Sequence, residues 1–387
     1  MKKKILATLL SVTMVAAMLA GCGSKPAATE STDAAAPAAA TETADTEEAA
    51  ANETAAPAAG NLSFEIVSKG FQHQYWQAVL KGAQSKADEL GVKINFVGPN
   101  SESDIADQVQ MLNSAINAKP AAIGLAALDT SACLDAIQTA KDSAIPIIGF
   151  DSGVPDAPEG AVYANCATDN YAAGEMAAQN MFEAIKDRIA SASGTVRIGV
   201  LSQDATSESV GNRGLGFIDK MAELVVATGK TINVEGNDKF VNGSKCEKTQ
   251  GANVIIEVLV PAQVTSELSS IDCQTLLNKA DTIAVYGSNQ HSGEAMVTAN
   301  ENLNKFGTGD TNVIGVAFDS GAVIKAAVKD GTFLGAVTQA PVAMGEALVQ
   351  SLYDVANGKT VTDIDTGCQW YNADNMDDAE IAQNLYD

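Results

Sequence analysis

Two aspartates stand in the same four-residue setting. Asp151 closes the apolar run of "IPIIGFDSG" (145–153), and Asp319 closes that of "VIGVAFDSG" (313–321). A carboxylate at the tip of a buried strand can accept hydrogen bonds from hydroxyls, pair with a cation, or cap the helix that follows. Two at one cleft could also work as a glycosidase acid and nucleophile. Other chemistries find little support. "ATGKT" and "NGKT" lack the glycine that a phosphate loop needs five positions earlier, and no G-x-S-x-G elbow occurs. With only His73 and His291 as histidines, a zinc site has too few ligands, so no metal and no cofactor is expected.

The aspartates need strands to place them, and the pattern from residue 62 onward supplies strands. Short β-branched runs alternate with helical ones: "LSFEIVS", then "YWQAVLKGAQSKADEL"; "VKINFVG", then "DIADQVQMLNSAINA"; "AAIGLAAL", then "SACLDAIQTAKDS"; then "IPIIGF". The cycle restarts after "AVYANC" with the helix "YAAGEMAAQNMFEAIKDRI". It runs through "GTVRIGVLS", "NVIIEVLVPA", "DTIAVYGS", "TNVIGVAF" and "FLGAVTQ", and ends with the long helix "PVAMGEALVQSLYDVANG". Continuous apolar strands that alternate with helices predict an α/β protein with doubly wound parallel sheets, here two in succession. Ligands of such sheets bind beyond the carboxyl ends of the strands. One aspartate at such an end in each sheet predicts a cleft that both sheets share.

The N-terminus reads differently. "MKKK" and the apolar run to Ala20 form a secretion signal over 1–21. Residues 22–60 are rich in Ala, Thr, Glu and Pro and carry almost no large apolar side chain, which predicts a disordered tether with a reach of roughly 30 Å. The net charge of −24 disfavours nucleic acid and anionic ligands. Five cysteines follow Cys22, an odd number with no C-x-x-C pair, so they read as small buried hydrophobes that leave room for one bridge, Cys246–Cys273.

Six segments in order, "SKGFQHQYWQAVLKGAQ" (68–84), "IPIIGFDSG", "NRGLGF" (212–217), "VYGSNQ" (285–290), "VAFDSG" and "GAVTQAPVAMG" (335–345), resemble the ribose/galactose-type, type I periplasmic sugar-binding proteins. "LAGC" (19–22) resembles a bacterial lipoprotein processing box, which implies lipid on Cys22. Together these imply a lipid-anchored, extracytoplasmic solute receptor. It would hand a neutral sugar to the membrane permease of an ABC importer, act as a monomer and perform no catalysis. A receptor that reports a sugar or furanosyl signal to a sensor or chemotaxis system would use the same fold. The resemblance also implies a three-stranded hinge between a first lobe (61–166 plus 340–367) and a second (167–339 plus 368–387).

Carried over residue by residue, Tyr75 and Trp76 match aromatics that stack on the sugar, with one of the two free of the core. His73 matches a hydroxyl partner in the same turn. Asp151 and Asp319 match acceptors for hydroxyls, Arg213 a donor expected to stand between them, and Asn289 and Gln339 amides. Gln290 and His291 lie close by. Ser152 stands where ribose binders of this type carry an arginine. Gln263 lies near the position of a second-lobe aromatic. The surplus "GKTINVEGNDKFVNGSKCEKTQG" (229–251) is expected to form an extra hairpin.

Overall fold

The computed structural model describes residues 62–387. The signal segment, Cys22 and the tether lie outside the described residues. Two mainly parallel sheets hold the elements.

The first sheet is built from β1 (Ser63–Val67), β2 (Lys93–Val97), β3 (Ala122–Leu125), β4 (Ile147–Phe150) and β5 (Val162–Ala167), in the order β2-β1-β3-β4-β5. Between them run α1 (Gln74–Leu90), α2 (Ile105–Asn117) and α3 (Leu134–Asp142). After β5 the chain passes to the second sheet. There it forms α4 (Asn170–Ser191), β6 (Val196–Leu201), α5 (Glu208–Ala227), β7 (Ile232–Gly236), α6 (Asp238–Gly243), β8 (Val254–Leu259), α7 (Ser266–Leu277), β9 (Thr282–Gly287), α8 (Gln290–Leu303), β10 (Ile314–Phe318), α9 (Ala322–Lys329) and β11 (Gly335–Gln339). It returns to the first sheet for α10 (Pro341–Ala356) and the edge strand β12 (Ile364–Asp365). It then crosses a third time to β13 (Cys368–Tyr371), which pairs antiparallel with β11, and ends in α11 (Ala379–Ala382).

Each sheet is covered on both faces, which is why β3, β4, β9, β10 and β11 are buried at every residue. One helix pair per lobe packs unusually close, and glycine permits it. A Cβ on Gly82 would meet the Val342 carbonyl oxygen at 2.0 Å, joining α1 to α10. A Cβ on Gly174 would meet the Arg213 carbonyl oxygen at 2.1 Å, joining α4 to α5.

The surplus segment is not a hairpin. Ile232 to Gly236 forms β7, an edge strand parallel to β8, followed by α6, whose Asn237 caps the Lys239 N–H. Ile232 and Val234 are buried while the residues between and after them are not. This half-buried alternation is weaker than the continuous runs of the central strands, and it escapes a search for such runs. Without β7 the second sheet reads β8-β6-β9-β10-β11, the same connectivity as β2-β1-β3-β4-β5. Cys246 and Cys273 are both free, as are the other described cysteines; Cys273 is buried in the second lobe and Cys246 only partly covered.

Candidate functional site

The carboxyl ends of the strands face one another, and side chains from both lobes enclose a small cavity. It is lined by Lys69, His73, Tyr75, Trp76, Glu102 and Asp151 from the first lobe and by Val210, Arg213, Asn289, Gln290, Asp319 and Gln339 from the second. The free space is about 20 Å³, room for a water molecule. Wider grooves of about 540 and 580 Å³ lie beside β5 and the start of α4 and against the 229–251 segment, but of the three only the small cavity is lined by Asp151 and Asp319.

Asp151 and Asp319 share an unusual backbone. Both have positive φ, 58° and 72°, and both donate their N–H to the neighbouring strand, to the Cys166 and Val337 carbonyls. Aspartate tolerates this region better than most residues. Neither caps the helix that follows it. Gly321 begins α9 without a side-chain cap, and residues 152–161 hold no helix.

In the second lobe Asp319 is fully engaged. Its Oδ1 accepts from Gln339 Nε2 at 2.7 Å, and its Oδ2 accepts from the Gln290 N–H at 3.0 Å, at the start of α8. Arg213 Nη1 lies 3.8 Å from Oδ2. Arg213 is buried, donates from Nε to Asn170 Oδ1 at 2.8 Å, and stacks over the Phe318 ring at 4.0 Å. Burial lifts the Asp319 carboxyl above its usual value against the opposing pull of Arg213, the Gln339 amide and the Gln290 N–H.

In the first lobe Asp151 Oδ1 accepts from Tyr75 Oη at 2.8 Å. Its ion-pair partner is Lys69, 3.6 Å from Oδ2, and not Arg213. Of the two carboxylates it was expected to stand between, Arg213 comes within ion-pair distance of Asp319 alone, although the Asp151 charge also helps to hold its pKa above the ordinary value. The reason is topological. Arg213 is held on α5 and tied to Asn170 at the start of α4, both in the second lobe, whereas Lys69 follows β1, the neighbour of β3 in the first sheet. Burial opposes the Lys69 charge, but Asp151, Glu102 and Asp204 outweigh it and hold its pKa above the ordinary value.

Tyr75 and Trp76 line the cavity, yet neither ring is free of packing: they are 4% and 2% exposed and meet edge to face at 5.0 Å. They lie in the first turn of α1, where the helix end meets the opposite lobe, so core and cleft bury them together. Trp76 Nε1 donates to Glu102 Oε1 at 2.8 Å. The other Glu102 oxygen accepts from Gln203 Nε2 at 2.8 Å, and Gln203 Oε1 accepts from Asn289 Nδ2 at 2.6 Å. This chain of hydrogen bonds crosses from one lobe to the other. Burial disfavours the Glu102 charge, but His73, Lys69 and the bonds from Trp76 and Gln203 more than offset it and hold the carboxyl below its usual value. His73 faces Glu294 across the lobes, with Nδ1 4.0 Å from Oε2, and its Nε2 has no hydrogen-bond partner among the described residues.

Of the residues expected at the site, two are placed elsewhere. Ser152 sits behind the cavity, where its Oγ accepts from the Ser209 N–H of the second lobe at 3.2 Å. Gln263 is exposed in the loop after β8 and does not reach the cavity. The extra edge strand lengthens the chain before β8 and shifts the residue count that pointed to it. Gln290 lines the cavity, while His291 is directed to Ser269 Oγ at 2.8 Å. Burial lowers its pKa to about 4. Lys69, Glu102 and Gln203 are missing from the sequence reading. All three follow the carboxyl ends of strands, β1, β2 and β6, so the strand-end rule applied at Asp151 and Asp319 would have found them.

The lobes meet closely around this cavity. Thr206 Oγ1 donates to the Leu128 carbonyl at 3.0 Å, the Val264 N–H to Ser103 Oγ at 2.8 Å, and the Tyr75 N–H to Gln290 Oε1 at 3.3 Å.

This architecture is shared by a known class of binding proteins. The chain belongs to the periplasmic binding protein domain family, which it matches over residues 64–360. The ribose import binding protein of Bacillus subtilis is 23% identical over 293 residues, covering 74% of this chain and 79% of that protein. A solved protein from Brachyspira murdochii, titled an ABC transporter, LacI family transcriptional regulator, is 33% identical, with a TM-score of 0.69 and coverage of 84% and 99%. An ABC transporter solute-binding protein from Agrobacterium vitis, solved with bound D-fucose, is 28% identical with a TM-score of 0.69, covering 84% of this chain and all of that one. The family and fold are those of a solute-binding protein rather than an enzyme. Among the described residues no helix is long and apolar enough to cross a membrane.

Proposed function

We propose that the cleft captures a neutral sugar and that the protein delivers it to an ABC-importer permease from the outer face of the cell membrane, held there by lipid on Cys22. The observation that carries this reading is the convergence of two carboxylate–cation pairs, Asp151–Lys69 and Asp319–Arg213, one from each lobe, beside the Tyr75 and Trp76 rings. A sugar offers a rim of hydroxyls that donate and accept, which such pairs satisfy with short charge-assisted bonds. It also offers apolar C–H faces that aromatic rings cover. Asn289, Gln290 and Gln339 add amide donors and acceptors around that rim, and His73 adds an imidazole. Each aspartate is matched by a cation and Glu102 adds a further carboxylate to the lining, which disfavours an anionic ligand.

Residues 61–166 with 340–367, and 167–339 with 368–387, act as two lobes in this reading and turn about the three crossings. The cavity of about 20 Å³ is far smaller than the 300–1,000 Å³ usual for ligand sites, so the lobes must part to admit a sugar. Ligand binds the closed form better because each lobe supplies only part of the contacts.

Calorimetric titration of the purified mature chain with D-fucose, D-arabinose, D-ribose and D-galactose tests the reading. Saturable binding of at least one sugar, with loss of uptake of that sugar on deleting the gene, is the expected result. Binding of none, or binding without any uptake defect, would overturn the sugar or the transport half respectively. Replacing Cys22 with Ala should release the protein from membranes into the medium.

A further inference from the structure

Beyond α11, two neighbouring residues pack into the cores of different lobes. Leu385 joins the apolar cluster of the second lobe that holds Ile324, Val328 and Tyr371, whereas Tyr386 belongs to that of the first, with Tyr75, Trp76 and Met344. Tyr386 is 9% exposed, and its ring meets the Tyr75 ring edge to face at 6.1 Å, within the range of a favourable aromatic pair. Its polar atoms bond to the second lobe instead. The Tyr386 N–H donates to Ser320 Oγ at 3.1 Å, its carbonyl accepts from the Gly321 N–H at 3.1 Å, and its Oη accepts from the Ser320 N–H at 3.3 Å. The Asn384 carbonyl accepts from Thr338 Oγ1 at 3.1 Å and Asp387 pairs with Lys325, so the chain is tied to β11 and α9 on either side of Tyr386. Both neighbours of Tyr386 belong to the site's framework: Tyr75 lines the cavity and donates to Asp151 Oδ1, and Ser320 follows Asp319. Tyr386 itself does not line the cavity.

We propose that Tyr386 is a positioning residue that couples the two half-sites: seated on the Asp319 strand end, it holds the Tyr75 ring against Asp151 in the closed form. This rests on the sugar reading above and deepens it. A ring bonded to one lobe and buried in the core of the other loses that burial when the lobes part, so it favours the closed form that binds ligand. Weakening that form lowers the apparent affinity in proportion to its population. The serines of the two Phe-Asp-Ser-Gly segments share this role. Ser152 Oγ accepts from the Ser209 N–H across the lobes, and Ser320 Oγ accepts from the Tyr386 N–H.

The test compares wild type, Tyr386→Phe and Tyr386→Ala by two readouts. Titration with D-fucose, D-arabinose, D-ribose and D-galactose gives affinity, and hydrogen exchange of the unliganded proteins gives local order without any sugar. Tyr386→Ala should weaken the best sugar at least fivefold and speed exchange at residues 71–79, in the first lobe, as well as at 318–322. Tyr386→Phe keeps the ring and the backbone bonds, so it should stay within twofold of wild type and leave 71–79 protected. Should Tyr386→Ala fail to fold, Tyr386→Leu, which keeps apolar bulk without a ring edge, carries the same expectations. A loss below fivefold in the folded variant, an equal loss in Tyr386→Phe, or faster exchange confined to 379–387 would overturn the proposal and leave the sugar reading intact. Wild type that binds none of the four sugars would overturn the sugar reading, and exchange at 71–79 then decides the role of Tyr386 by itself.

Discussion

The two lobes carry the same aspartate at the same strand end with the same positive φ, yet they hold it differently. Asp319 is locked by three groups of its own lobe: an amide from β11, the first N–H of α8 and a guanidinium from α5. Asp151 has an ion pair of similar length, 3.6 Å against 3.8 Å, but accepts only one side-chain hydrogen bond, from a phenol, and its other oxygen has no hydrogen-bond partner among the described residues. Duplicated sequence thus yields a rigid half-site and an adaptable one. What surrounds the strand end, not the strand end itself, sets how much of a carboxylate is left for a ligand.

That contrast is strongest in stability. Asp319→Ala strands a buried guanidinium and should cost about 3–5 kcal/mol of folding free energy. Asp151→Ala should cost only about 1–3 kcal/mol, because Lys69 keeps the nearby Glu102 and Asp204 charges and Tyr75 loses one bond. Both should abolish sugar binding. Urea unfolding of the two variants measures the difference, and equal losses would erase the distinction between the lobes.

Acid should act through the second lobe. His291 is buried neutral against Ser269, with His73, Glu102 and Asp204 as the charged or titratable groups around it, and its pKa is lowered to about 4. The unfolded chain binds this proton below about pH 6.5 and the folded chain only below about pH 4, so stability is lost as pH falls through that window. The loss should reach about 3 kcal/mol. Unfolding curves from pH 7.5 to 4 should show it, and His291→Asn should flatten the profile; an equally steep profile in the variant would move the acid sensitivity elsewhere.

A smaller effect belongs to the first lobe's aromatic pair. Trp76→Phe keeps a ring but removes the indole donor from Glu102, which should cost about 1–3 kcal/mol and loosen the link through Gln203 to Asn289. If Trp76→Phe matches wild type in both stability and sugar affinity, Glu102 does not position that ring. At the bottom of the scale, Gln263→Ala should leave stability within about 0.5 kcal/mol and leave binding unchanged, since the side chain is exposed away from the cavity. A clear loss of affinity in titration would return that loop to the site.

The alternation of apolar runs with helical ones was enough to read two doubly wound sheets, because a strand buried on both faces must be apolar throughout and a covering helix must be amphipathic. The repeated Phe-Asp-Ser-Gly was enough to place one carboxylate in each half. The sequence did not reveal β7, whose half-buried edge position leaves only a two-residue alternation, nor that Tyr75 and Trp76 are both buried at the junction of core and cleft. It also could not say which cation serves which aspartate. Arg213 is 62 residues from Asp151 in the chain and Lys69 is 82, so spacing favours the wrong partner. The pairing is decided by strand order, which sets Lys69 on β1 into the sheet that carries Asp151 and keeps Arg213 on a helix of the other lobe. Periodicity is a local property that the chain displays by itself, whereas the partner of a buried charge is fixed only when distant strands lie side by side.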